Sequence, residues 1–112
     1  MTITPKNKLI RDNVPSSIIE QGRTPNLITL DDTTFQKEIF NKLVDEAKEV
    51  VEAQNDSDHL AEEIADVYEV LDSIIRLKNL NPNQIKQIQI NKRDQWGSFD
   101  KKTWLESVTE KN

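Results

Sequence analysis

The chain has 112 residues, 35% of them hydrophobic, a formal charge of −5 and no cysteine. That length predicts one domain with a modest core, and the missing cysteines exclude disulfide staples, thiolate metal sites and a cysteine nucleophile. The negative balance argues against a protein that coats a nucleic-acid polymer; an anionic ligand would need cations to mediate its contact.

No apolar run approaches the roughly 20 residues of a membrane span, and Met1 to Lys8 lacks the hydrophobic block of a signal peptide. A cytoplasmic protein without a membrane partner is expected. The N-terminal arm, Lys6 to Leu30, reads as extended or irregular. Within it Pro15 can open a short helix through Gln21 that Gly22 ends. Asn26 to Leu30 alternates and suggests a short strand, pairing with Lys8 to Ile10.

Thr33 and Gln36 have capping-box spacing and open a long helix to about Ala53. Phe35, Ile39, Phe40, Leu43, Val44, Ala47, Val50 and Val51 supply its apolar face. Gln54 to Ser57 is a polar break, with Ser57 or Asp58 as cap of a second long helix reaching about Asn79. Asn81-Pro82-Asn83-Gln84 then signals a third start, cap followed by proline, for a helix to about Asp94. Gly97 breaks it, and Ser98 to Asn112 carries Phe99, Trp104, Leu105 and Val108 for a short docked helix or strand. The pattern shows no repeat and no domain boundary.

The chemistry lies in two carboxylate couples, Glu46 with Glu49 and Glu63 with Asp66. At about 100° per residue, Glu46 falls among Ile39, Leu43 and Val50, inside the apolar stripe. Glu63 falls among Val67, Val70 and Ile74, while Glu49 and Asp66 sit at the stripe edges. The short connection folds the helices into an antiparallel hairpin. Glu49 and Glu63 are then level to within about 1.5 Å of rise, as are Glu46 and Asp66 one turn deeper. Four acids at one level raise one another's pKa, and a hard dication relieves that repulsion. All-oxygen ligation favours Mg²⁺, with Mn²⁺ as the alternative.

Other residues have plainer readings. Glu52, Glu62 and Glu69 read as solvated face residues, and His59, near a helix start, as a surface residue without a chemical part. Trp96 and Phe99 suit a core as well as a ligand platform. The pattern alone also leaves open that the quartet meets Lys or Arg partners in a helical oligomer. Two glycines cannot build a phosphate-cradling loop, so phosphate recognition would go through metals and long basic side chains.

Glu46-x-x-Glu49, thirteen intervening residues and Glu63-x-x-Asp66 resemble the metal signature of the MazG-like all-α nucleoside triphosphate pyrophosphohydrolases. That superfamily is similar to phosphoribosyl-ATP pyrophosphohydrolase and the dimeric dUTPases. Asn7-Lys8-Leu9-Ile10-Arg11-Asp12-Asn13-Val14-Pro15 resembles the opening of its small house-cleaning branch, and Asn91-Lys92-Arg93 with Trp96-Gly97-Ser98-Phe99 resembles that branch's ending. The likeness runs from about Lys6 to Lys102, which makes residues 1–112 a single MazG-like domain.

The resemblance implies an all-α fold: a helical hairpin completing a four-helix bundle by oligomerisation, with an extended N-terminal arm and a short C-terminal segment. It implies metal-dependent hydrolysis of a nucleoside triphosphate, or a phosphoribosyl-nucleotide, to monophosphate and pyrophosphate, in a nucleotide-pool sanitiser. Glu46, Glu49, Glu63 and Asp66 would hold the metals, and one of them would serve as base. Lys8, Arg11, Asp12, Lys92, Arg93 and Trp96 would bind substrate, with Asp12 orienting Arg11 and either Trp96 or Phe99 stacking on a base. The implied assembly is a homodimer or homotetramer. The rival is a catalytically silent helical oligomeric interaction module.

Overall fold

A computed structural model of the chain describes residues 1–111. It contains four α-helices, α1 Val14–Glu20, α2 Asp32–Glu52, α3 Ser57–Leu77 and α4 Pro82–Trp96, and no strand among the described residues. The fold is all-α. It divides into two compact units, Met1–Asn79 and Leu80–Asn112.

The first unit is built on the α2–α3 pair. α2 begins earlier than the Thr33 capping box predicts. Asp31, in extended backbone at φ −70° and ψ 168°, accepts the Thr34 N–H at 2.7 Å. Aspartate caps better than threonine, and Thr33 becomes an interior residue. The α3 cap likewise moves back one residue, to Asp56, which accepts the His59 N–H at 3.3 Å. In the connection Asp56 N–H donates to the Ala53 carbonyl at 3.0 Å over a buried Ala53. The tight turn sends α3 back along α2: at the far end Lys78 donates to Gln36 at 2.9 Å, joining the last turn of one helix to the first of the other. The pair is therefore antiparallel.

Ile39, Val70 and Ile74 form the buried centre, with Leu9, Phe35, Leu43 and Leu77 packed against it. Much of the predicted apolar stripe stays in the open: Phe40, Val44, Val51, Tyr68 and Leu71 are exposed. One helix covers only one flank of its neighbour, and these stripes are wider than that. The strand expected at Asn26 to Leu30 does not form, and Ile28 is 87% exposed. A two-stranded pairing needs a covered face to hold it, and none lies over this segment. The α1 signals act as expected, with Pro15 in the first turn and Gly22 beyond the end at φ +75°.

In the second unit Asn81 accepts N–H groups from both Asn83 and Gln84, at 2.9 and 3.3 Å, with Pro82 as the first helical residue. Helix α4 ends at Gly97, whose φ of +80° suits glycine. The helix or strand expected after Ser98 is absent from residues 98–111, where Phe99, Trp104, Leu105 and Val108 are exposed.

Ile74→Ala is expected to cost about 2–4 kcal/mol in urea unfolding, the usual loss for a truncated core aliphatic. Ile28→Ala, at an open position, should fall within about 0.5 kcal/mol of the parent. A reversed order would place the folding core elsewhere.

Candidate functional site

The antiparallel hairpin brings Glu46 and Glu63 together at its centre, both buried, at 6% and 9% exposure. Their position follows from the sequence: each lies inside an apolar stripe, so burying the stripe buries the acid. Asp66 is half-buried beside them. Glu46, Glu63 and Asp66 each present one carboxylate oxygen such that all three lie within 4.8 Å of one another. Glu49 is exposed, but its carboxyl approaches both neighbours. The Glu63 carboxyl raises the Glu49 pKa most, burial adds to this, and Glu46 and Lys42 oppose it. The Glu46 pKa is raised chiefly by burial, against the lowering effect of Lys42. The quartet is thus assembled as a group of three with Glu49 at its side.

Three acids of the quartet have a basic partner on one oxygen. Lys42 Nζ stands 3.2 Å from Glu46 Oε1, His59 Nε2 stands 3.0 Å from Glu63 Oε1, and Arg11 donates to Asp66 Oδ1 at 2.7 Å. The other oxygens of the two buried acids, Glu46 Oε2 and Glu63 Oε2, are fully buried and have no partner. Buried polar atoms are rarely left so, at a cost of about 1–3 kcal/mol each. Four carboxyl groups thus gather where three basic side chains, Lys42, His59 and Arg11, reach them. Converging carboxylates, two of them with a buried oxygen lacking a partner, are a donor set a hard divalent cation takes. Glu46, Glu63 and Asp66 fit such an ion, with Glu49 beside them.

Two cavities open beside the quartet. One, of about 270 Å³, is lined by Glu49, Glu52, His59 and Glu63. The other, of about 350 Å³, is bordered by Lys8, Lys42 and Lys48 as well as Asp45, Glu46, Glu49 and Glu52. Lys8 of the expected substrate set therefore stands at the site. So does Arg11, which engages Asp66 rather than the expected Asp12; Asp12 is exposed. Lys92, Arg93 and Trp96 lie on α4 in the second unit, all exposed.

Lys42 and Lys48, which have no part in the sequence-based expectations, border the larger cavity. His59 and Glu52, expected as plain surface residues, both line the smaller cavity. A usable signal was present. Lys42–Glu46 and His59–Glu63 are both i, i+4 pairs, the spacing at which helical side chains meet.

An acid whose folded pKa is raised binds its proton more tightly in the native state. Its stabilising contribution is complete below the unfolded value and is lost as pH rises through the folded one. Metal-free protein is therefore expected to lose melting temperature as pH rises from about 4.5, the ordinary value of Glu46 and Glu49. Asp31, lowered by its Thr34 hydrogen bonds from an ordinary 3.8, acts in a separate window, its contribution being lost as pH falls below that value. Glu46→Gln should flatten the upper slope and raise stability at neutral pH, read by circular dichroism melts across the range. An unchanged slope would mean that burial of Glu46 carries no charge penalty. Comparison of the chain with protein-family models, with curated proteins and with solved structures finds no match.

Proposed function

We propose that the protein is a Mg²⁺-dependent nucleotide pyrophosphohydrolase, with Mn²⁺ as an alternative ion. It cleaves a nucleoside triphosphate, or a phosphoribosyl-nucleotide, to the monophosphate and pyrophosphate. The observation that carries this reading is the convergence of one carboxylate oxygen each from Glu46, Glu63 and Asp66, on residues of which two bear a buried, unpartnered oxygen. The MazG-like spacing of the same residues adds the reaction class.

Glu46, Glu63 and Asp66, with Glu49, would hold the ion. When bound, it offsets carboxylate charge and polarises phosphoryl oxygens. Lys8, Lys42 and Lys48, around the larger cavity, supply the positive charge that a triphosphate of about −4 requires. Arg11 can exchange Asp66 for a phosphate without leaving the site. Glu49, exposed and outside the group of three, is the carboxylate best placed to take the proton of the attacking water. The water oxygen bonds to Pα, the Pα–O–Pβ bridge breaks, and pyrophosphate leaves with the bridging oxygen. By the resemblance, Asp12 helps close the site, and Lys92, Arg93 and one of Trp96 and Phe99 are the further substrate-binding residues.

Assembly belongs to the same reading. Phe40, Val44, Val51, Tyr68 and Leu71 are exposed on the hairpin, and two such hairpins make a four-helix bundle. A homodimer or homotetramer is proposed, acting on the nucleotide pool of the cytoplasm. No helix among the described residues is long and apolar enough to cross a membrane. A silent interaction module draws support from one observation, the three basic partners already on Glu46, Glu63 and Asp66.

The deciding experiment incubates purified protein with ordinary and damaged nucleoside triphosphates, with Mg²⁺ or chelator, and identifies products chromatographically. Monophosphate plus pyrophosphate, only with metal, is expected. Release of single phosphates would indicate a different phosphohydrolase, and no turnover of any nucleotide would favour the interaction module. Glu49→Gln should abolish turnover while leaving the metal-free fold intact, whereas Lys92→Ala should weaken nucleotide binding more than metal binding. Full activity of Glu49→Gln would remove Glu49 from the chemistry.

A further inference from the structure

The N-terminal arm touches the three converging carboxylates at their most accessible member. Arg11 donates to Asp66 Oδ1 at 2.7 Å, and the two side chains are 59% and 41% exposed. Glu46 and Glu63 meet bases of their own helices, Lys42 and His59, each at i, i+4 spacing. Arg11 alone of these bases comes from outside the hairpin. Its backbone is placed from both sides. Leu9 packs against the Ile39, Val70 and Ile74 core, and the Arg11 carbonyl accepts the Val14 N–H at 3.1 Å where α1 begins. The fold therefore delivers the guanidinium to Asp66, yet the contact itself is weak. An exposed ion pair favours its bound form by no more than about fivefold.

We propose that Arg11 is a built-in competitor for the cation: a dication displaces it from Asp66, loosens residues 9–11, and frees the guanidinium for an anionic ligand. This device rests on the metal reading above and sets an order of events, cation before anion. An ion such as Mg²⁺ stands about 2.1 Å from its ligand oxygens. It brings twice the charge of the guanidinium closer to the same carboxylate, and the two cations repel each other at this range. Water solvates an exposed guanidinium at little cost, so the arm gives way rather than the ion. The opposite role has the opposite sign. Were Arg11 an orienting partner that holds Asp66 for the metal, its loss would weaken metal binding about 10- to 100-fold.

Calorimetric titration of Mg²⁺ into metal-stripped, full-length protein separates the two roles. Arg11→Gln is expected to bind Mg²⁺ about two- to fivefold more tightly than the parent. Leu9→Ala, which changes no charge, should shift the affinity in the same direction by untying the arm. Trypsin gives a readout of the arm itself. In the parent, Mg²⁺ should speed cleavage of the Lys8–Leu9 bond while slowing cuts within α2 and α3, which binding stabilises. In Arg11→Gln, cleavage of that bond should be fast without Mg²⁺ and gain nothing from it. Circular dichroism checks that each variant keeps its helices. Weaker or unchanged Mg²⁺ binding by Arg11→Gln, or slower cleavage after Lys8 with Mg²⁺, would overturn the competitor role and leave the metal reading standing. Absence of Mg²⁺ binding by both the folded parent and Arg11→Gln would overturn both.

Discussion

Two carboxylates lie where a hairpin of this sequence would otherwise place two aliphatic side chains, and each can satisfy only one of its oxygens from the protein. Glu46 and Glu63 are carried inward by the same apolar stripes that hold α2 against α3, so forming the core buries them. Lys42 and His59 meet one oxygen each, and the second oxygens remain buried and unpartnered. Retaining both acids at a cost of about 1–3 kcal/mol each is hard to reconcile with a purely structural hairpin, in which two leucines would pack at no such penalty. The cost becomes intelligible if a cation completes the site.

The surrounding features are consistent with that constraint. Arg11 brings the N-terminal arm onto Asp66, and Leu9 of the same arm packs on the core. Residues 9–11, which lie outside any helix or strand, are thus tied at two points, one apolar and one ionic. The exposed pair, with Arg11 and Asp66 side chains 59% and 41% accessible, is weak and readily exchanged. The lysines near the quartet serve the same balance: they offset the acids at short range without filling the buried oxygens.

The helices were legible because periodicity, caps and proline positions all agree on them, and the quartet was legible because charged residues inside an apolar stripe contradict the stripe. Exact caps were not. Asp31 and Asp56 compete with Thr33 and Ser57 one or two residues away, and backbone geometry decides between them. The strand at Asn26 to Leu30 failed because alternation records only a capacity for pairing, which needs a covered face that the fold does not supply. His59 and Glu52 read as plain surface residues, and Lys42 and Lys48 do not stand out, because a polar residue on a helix face resembles any solvated one until its neighbour across the turn is known to be buried. The i, i+4 rule applied to Glu46 and Glu63 would have found Lys42 and His59; nothing in the chain alone would have brought Lys8 to the same cavity.

The central claim is that the buried carboxylates of Glu46 and Glu63 hold a divalent cation. Calorimetric titration of Mg²⁺ into metal-stripped protein at neutral pH tests it most directly, with a Glu46→Gln, Glu63→Gln double variant as control. Saturable binding by the parent and none by the double variant is the expected result. Absence of binding by a folded parent, or equal binding by the double variant, would contradict the claim.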